Sequence, residues 1–139
     1  MSANDVKITV IPQGHRTLAS SGSKWEPLMG YSRAVKIGNQ IAVTGTVGVN
    51  ADGTYSQSLA DQTRRSLKII QTAIEALGGR MDQIIRTRMF VTDVSKWEDV
   101  AKVHGEVFAT IRPATSIVQV PKLIDADAQI EIEADVVLA

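Results

Sequence analysis

Residues 112–139 read RPATSIVQVPKLIDADAQIEIEADVVLA, and two strands emerge from them by alternation. In Thr115–Val120, the residues Thr115, Ile117 and Gln119 point one way, and Ser116, Val118 and Val120 the other. In Gln129–Leu138, Gln129, Glu131, Glu133 and Asp135 alternate with Ile130, Ile132, Ala134 and Val136. Side chains on a strand have a period of two, so the second strand carries one apolar face and one acidic face. An acidic row on a strand of a small domain is either a solvated face or the polar wall of a cleft.

The 139 residues suit one domain, 1–139, with a core of its own. Basic and acidic residues balance at 15 each, and aromatics make up 4%. Neither a basic excess for phosphates nor a stacking surface is present, so nucleic acid is not an expected partner. No apolar run approaches the ~20 residues of a membrane span, and MSANDVKITV lacks the basic and apolar regions of a signal peptide. Cytoplasm is the expected location and no membrane contact is expected. With no Cys, disulfides, thiolate chemistry and Cys-based metal sites are excluded.

Upstream, Val6–Ile11 is a β-rich run ended by Pro12, and Gln13–Gly30 reads as a long polar loop. Such loops are uncommon and often functional. This one is either a surface excursion with Trp25 plugging a hole or the border of a ligand cleft. Tyr31–Ile37 and Gln40–Gly45 form a predicted hairpin around Gly38-Asn39. Tyr31, Arg33, Val35 and Ile37 share one face of it. Gly45 either admits a ligand to the backbone or relieves twist.

Ser58–Leu77 is a predicted helix. Leu59, Thr63, Leu67, Ile70, Ile74 and Leu77 recur at helical spacing, Ser58 is a candidate N-cap, and Gly78-Gly79 stops the chain. Arg64, Arg65 and Lys68 read as a solvated face. In the strand Gln83–Asp93, Thr87, Met89 and Val91 oppose Arg86, Arg88, Phe90 and Thr92. Ser95 and Glu98 have capping-box spacing for a helix from about Lys96 to Thr110. His104 falls on its apolar stripe with Trp97, Val100, Ala101, Val107, Phe108 and Ile111, and reads as a core or interface histidine rather than a catalyst. Arg112-Pro113 ends this helix.

The resulting order is α+β, with a mixed sheet and two helices on one face. Two helices cannot cover the other face, which mixes Ile, Val, Phe and Thr with Arg and Glu and therefore predicts an oligomer. No nucleotide fingerprint, P-loop, metal spacing or Gly-x-Ser-x-Gly elbow occurs.

From Tyr31 to Ala139 the chain resembles the Rid (reactive intermediate deaminase, YjgF-like, "endoribonuclease L-PSP") family. The matching pieces are Gly30-Tyr31, Gly38-Asn-Gln-Ile41, Thr44-Gly45, Gln62-Thr-Arg-Arg-Ser-Leu67, Phe90-Val-Thr-Asp93, Arg112-Pro-Ala114 and Ile130-Glu-Ile-Glu-Ala134. The resemblance implies a chorismate-mutase-like fold. It also implies a homotrimer around a central β-barrel, with a small-molecule cleft between subunits.

Active members of that family are cofactor-free hydrolases of imines and enamines made from amino acids. The resemblance implies that Glu131 orients the attacking water and that Tyr31 and the Gly45 backbone line the cleft. A positioned carboxylate suits that task. The family's Arg, which forks onto a substrate carboxylate, is replaced here by Thr115, and the Cys two positions on by Ile117. Losing such a desolvated ion contact costs ~2–5 kcal/mol of binding. The chain therefore resembles a subgroup without the cleft arginine, and a substrate other than the usual 2-imino acids is expected. Arg88 or Arg112 would replace the cation. Arg88 is favoured because its face opposes Thr87–Met89–Val91, and it is expected to pair with Glu131 or a neighbouring acid. Three functions remain open: a deaminase-like hydrolase, a non-catalytic small-molecule-binding or regulatory trimer, and, ranked last, an endoribonuclease or translation inhibitor.

Overall fold

A computed structural model describes residues 4–139. Its strands are β1 (Thr9–Gln13), β2 (Arg16–Ser20), β3 (Ala34–Ile37), β4 (Gln40–Val47), β5 (Ile84–Val91), β6 (Ala114–Gln119) and β7 (Ile130–Val137). They form a seven-stranded sheet in the order β1-β2-β3-β4-β7-β5-β6. All neighbours are antiparallel except β5 and β6, which run parallel. Three helices accompany it: a short α1 (Trp25–Met29) and the long α2 (Leu59–Ala76) and α3 (Trp97–Phe108).

The sheet is organised around β7. Its apolar row of Ile130, Ile132, Ala134 and Val136 is buried. In register, Ala134 lies between Val43 and Thr87, and Ile132 between Thr46 and Met89. On this face lies α2, whose whole predicted stripe from Leu59 to Leu77 is buried. Ser58 caps α2 by accepting from the Asp61 N–H at 3.2 Å. At the other end Gly78 takes φ 86°, which turns the chain out of the helix.

Gln62 ties α2 to two loops. Its amide donates to Ser56 O and Asp127 O, and its carbonyl accepts from the Gln129 N–H. Tyr55 donates to Asp125 across the same loops, and burial followed by that carboxylate pushes the phenol's pKa upward.

Several elements differ from their sequence reading. The N-terminal strand is Thr9–Gln13, with Pro12 inside it. β1 is an edge strand, where a missing N–H removes no ladder bond from a second neighbour. The segment read as loop, 13–30, holds β2 and α1, and the buried side chain of α1 is Glu26 rather than Trp25. Ser95 forms no capping box with Glu98. Asp93 caps the turn instead, accepting from Ser95 N and Oγ. The buried face of α3 is Val100, Val103 and Phe108, while Trp97 is 53% exposed.

Neither long helix covers the opposite face of the sheet. Register places Leu18, Val35, Phe90 and Val118 there, interleaved with Arg86, Arg88, Glu131, Glu133 and Asp135. No helix is long and apolar enough to cross a membrane among the described residues.

Candidate functional site

The register of β4 against β7 shifts between Val43 and Thr46, so Thr44 and Gly45 leave the ladder. Bulges of this kind re-aim side chains and recur beside functional sites. Here the released space is taken by Glu131. A Cβ on Gly45 would lie 2.7 Å from Glu131 Cδ, so only glycine leaves the carboxylate its place. Glu131 is half-buried. Desolvation raises its pKa, the Glu133 charge adds to the rise, and the Arg33 charge opposes both. Its carboxylate forms no ion pair among the described residues.

Arg33 is the buried cation of this site, at 7% exposure. Its Nη1 donates to Gly45 O at 2.9 Å and to Thr46 Oγ1 at 3.3 Å. Its Nε donates to Ser21 Oγ at 3.3 Å, and its Nη2 lies 3.6 Å from the Glu26 carboxylate. The guanidinium stands 5.7 Å from the centre of the Tyr31 ring. Glu26 in turn accepts from Ser21 N and Oγ. Tyr31, Gly45 and Glu131 are thus gathered around Arg33, which sequence reasoning placed on the right face without giving it a role. The available signal was a lone cation on a strand whose next two residues on that face are Val35 and Ile37. Glu26 left no such signal, because a five-residue helix inside a polar segment has no periodicity to read.

Arg88 lies on the same face of the sheet as Glu131. Of the partners expected for it, it takes the neighbouring acid, Asp135, at 3.1 Å. Both side chains are about two-fifths exposed, at 43% and 39%. An ion pair this open contributes at most about 1 kcal/mol.

Thr115 and Ile117 lie elsewhere. They pair with Thr87 and Met89 and so face the helix side of the sheet, on the edge strand β6. Thr115 Oγ1 is 2.5 Å from Thr87 Oγ1, which is 2.9 Å from His104 Nε2. His104 stacks at a tilt on Phe108, and burial lowers its pKa, favouring the neutral ring. It borders a hollow of about 440 Å³ with Gly105, Phe108, Ala109, Arg112 and Pro113. Arg112 holds φ 55° there, and its N–H caps α3 on Phe108 O at 2.9 Å. That left-handed cap is usually glycine, and Pro113 bars the α conformation that would continue the helix.

Thr115 and Glu131 do not share a cleft within one chain. β6 lies two strands from β7, roughly 10 Å away at the usual strand spacing. Through Thr87, Thr115 registers with Ala134 rather than Glu131. The two side chains also project from opposite faces. One chain therefore carries two separate groups: Tyr31, Arg33, Gly45 and Glu131 on the open face, and Thr115, Ile117, Thr87 and His104 at the β6 edge.

Residues 21–138 match the family described as Endoribonuclease L-PSP. The chain is 43% identical to Rv2704 of Mycobacterium tuberculosis, a member of the YjgF/YER057c/UK114 family. The TM-score is 0.83, over 88% of this chain and 99% of that one. It is 35% identical to the 2-iminobutanoate/2-iminopropanoate deaminase of Escherichia coli, over 75% of this chain and 84% of that protein. The crystal structure of Escherichia coli TdcF with bound serine superposes at a TM-score of 0.74, with 28% identity, covering 78% of this chain and 88% of that one. With the family match spanning residues 21–138, and with the mixed sheet and helix placement shared with these structures, the chain belongs to the L-PSP (Rid, YjgF-like) family.

Proposed function

We propose that the chain is a deaminase-like hydrolase of small imines or enamines that needs no cofactor and works in a cleft completed by a second copy of itself. The observation that carries this reading is Glu131, a half-buried carboxylate with a raised pKa, seated on the Gly45 bulge and free of any ion pair among the described residues. In the reaction, Glu131 takes a proton from water as the oxygen bonds to the imine carbon. The proton passes to the nitrogen. The hydroxyl proton of the resulting carbinolamine then moves, through Glu131, to the nitrogen as the C–N bond breaks and the C=O bond forms, giving a carbonyl compound and ammonia. A general base of this kind contributes typically 10²–10⁴-fold. Similarity to the Escherichia coli deaminase supports this reaction class.

Two features bear on assembly and substrate. The two groups lie on opposite faces, and the open face is partly apolar, so a homotrimer with sheets turned inward would both cover that face and bring Glu131 of one copy toward Thr115 of the next. Thr115 offers a neutral hydroxyl where an arginine would fork onto a carboxylate. The preferred substrate therefore presents an uncharged hydrogen-bonding group to Thr115, and 2-iminopropanoate is a poor substrate.

The test is ammonia release from imines generated in situ, with and without a carboxylate, using wild type and Glu131→Gln, alongside light scattering. The expected result is a trimer mass, release favouring the uncharged imines, and loss of release in Glu131→Gln. A monomer at micromolar concentration, or no release from any imine, overturns the reading. The alternative, a non-catalytic small-molecule-binding trimer, would show a ligand-induced rise in Tm without turnover.

A further inference from the structure

Arg33 is a buried cation whose Nη1 donates at 2.9 Å to the carbonyl of Gly45, the glycine that Glu131 packs against, yet it forms no ion pair with Glu131. In an enclosed site an arginine and a nearby carboxylate ordinarily close on each other, because a charge-assisted pair is about twice as strong as a neutral hydrogen bond. Here the guanidinium is engaged elsewhere. Ser21 Oγ takes Nε, Gly45 O and Thr46 Oγ1 take Nη1, and Glu26 faces Nη2. Glu26 is the only one of these partners that carries charge. It is 5% exposed, and the same Oε2 that faces Arg33 also accepts from Ser21 N and Oγ. Its helix is fixed in turn, since Gly30 N and Tyr31 N both bond to Glu26 O. The backbone and the side chain of one residue thus anchor the α1 turn and the cation together.

We propose that Glu26 is a positioning residue for the site: it claims the Arg33 guanidinium, so that the Glu131 carboxylate stays unpaired and available to water or ligand. The inference rests on Glu131 being the reacting group. Arg33 then has two tasks. It pins the carbonyl of the Gly45 bulge on which Glu131 lies, and it lends the site a positive field without closing on the carboxylate. A buried Arg–Glu pair is a poor source of net stability, because desolvating both charges offsets their attraction. It does fix geometry, and the geometry fixed here is a cation beside, but not on, the candidate base. The charged groups facing Glu131 are Arg33 from the β3 side and Glu133 on its own strand. Arg88 on β5 is engaged by Asp135.

The experiment measures the Glu131 carboxyl titration by ¹³C NMR in wild type, Glu26→Gln and the double variant Glu26→Gln/Arg33→Gln. Glutamine keeps the shape of Glu26 and removes its charge. In Glu26→Gln, Arg33 loses its charged partner, turns toward Glu131, and moves the Glu131 titration to lower pH. In the double variant no buried charge is left over, the bulge region keeps a shorter, neutral hydrogen-bonding side chain, and the titration moves above that of wild type. The double variant also serves if Glu26→Gln alone is too destabilised to study. An unchanged titration in a folded Glu26→Gln protein overturns the proposal, as does a double variant that titrates at or below wild type. Neither result depends on turnover, so a failure here is distinguishable from a failure of the imine hydrolase reading, which ammonia release decides.

Discussion

Glu131 lies so close to Gly45 that a Cβ added to the glycine would stand 2.7 Å from Cδ and 2.8 Å from Oε2. The atoms it meets are the far end of a flexible side chain. Gly45→Ala is therefore expected to keep the strand and displace the carboxylate. Thermal stability should fall by about 1 kcal/mol or less, as for a surface adjustment. Ammonia release from a responsive imine should drop as far as in Glu131→Ala. A Gly45→Ala protein with full activity would separate the bulge from the chemistry.

Gly48 gives the opposite outcome only three residues further on. A Cβ there would lie 2.2 Å from Gln62 O and 2.8 Å from Gln62 Cα. The obstacle is the backbone of α2 at the residue that ties two loops to the helix, and it cannot rotate away. Gly48→Ala should destabilise by about 3 kcal/mol or more, the upper range of overpacking. A fall in the urea midpoint at unchanged m-value would register it.

What was legible in the sequence follows the same division between regular and irregular backbone. The row Ile130, Ile132, Ala134, Val136 and the stripe Leu59–Leu77 were readable because each repeats a period over many residues, and burial follows period directly. Glu131 and Thr115 could be put on strands for that reason. Their opposite facing depended on register through Thr87, and no single segment encodes register. Arg33 was placed on a face but not in a network, because its partners Ser21, Glu26 and Gly45 lie in a turn, a five-residue helix and a bulge. The Ser95–Glu98 spacing misled because Asp93 sits two residues earlier and reaches the Ser95 N–H first.

The charge state of Glu131 should be visible in stability as well as in activity. Its folded pKa is raised above the usual value of 4.5, so folding disfavours the ionised form. The penalty is absent below the unfolded pKa, grows as pH rises through the interval up to the folded pKa, and is complete above it. Glu131→Gln removes the ionisation and relieves Glu133. The variant should thus be more stable than wild type at pH 7 and lose that advantage as pH falls toward 4. Paired thermal melts across this range decide the sign. A variant that is less stable than wild type at pH 7 would show that Glu131 makes a favourable contact in the folded protein.

The last prediction concerns the chain of contacts His104–Thr87–Thr115. Thr87 is 1% exposed, and its hydroxyl joins a neutral imidazole on α3 to the side chain at the β6 edge. Thr87→Val keeps the volume and removes the hydroxyl, leaving His104 Nε2 without its buried partner. The expected cost is ~1–3 kcal/mol, the penalty for an unsatisfied buried polar group, and Thr87→Ser should recover most of it. Acid should show the same link. Burial depresses the pKa of His104 from 6.5, so its contribution to stability is present above that value and is lost as pH falls through the lower, folded pKa. His104→Asn should flatten the stability profile of wild type below pH 6.5. The charged residue sharing the hollow with His104 is Arg112. Arg112→Gly suits the left-handed backbone at φ 55° and removes that charge. It should therefore hold or raise stability, and because burial is what depresses the His104 pKa, it should leave the His104 titration in place. A His104 titration that moves to higher pH in Arg112→Gly would show that the Arg112 charge adds to desolvation.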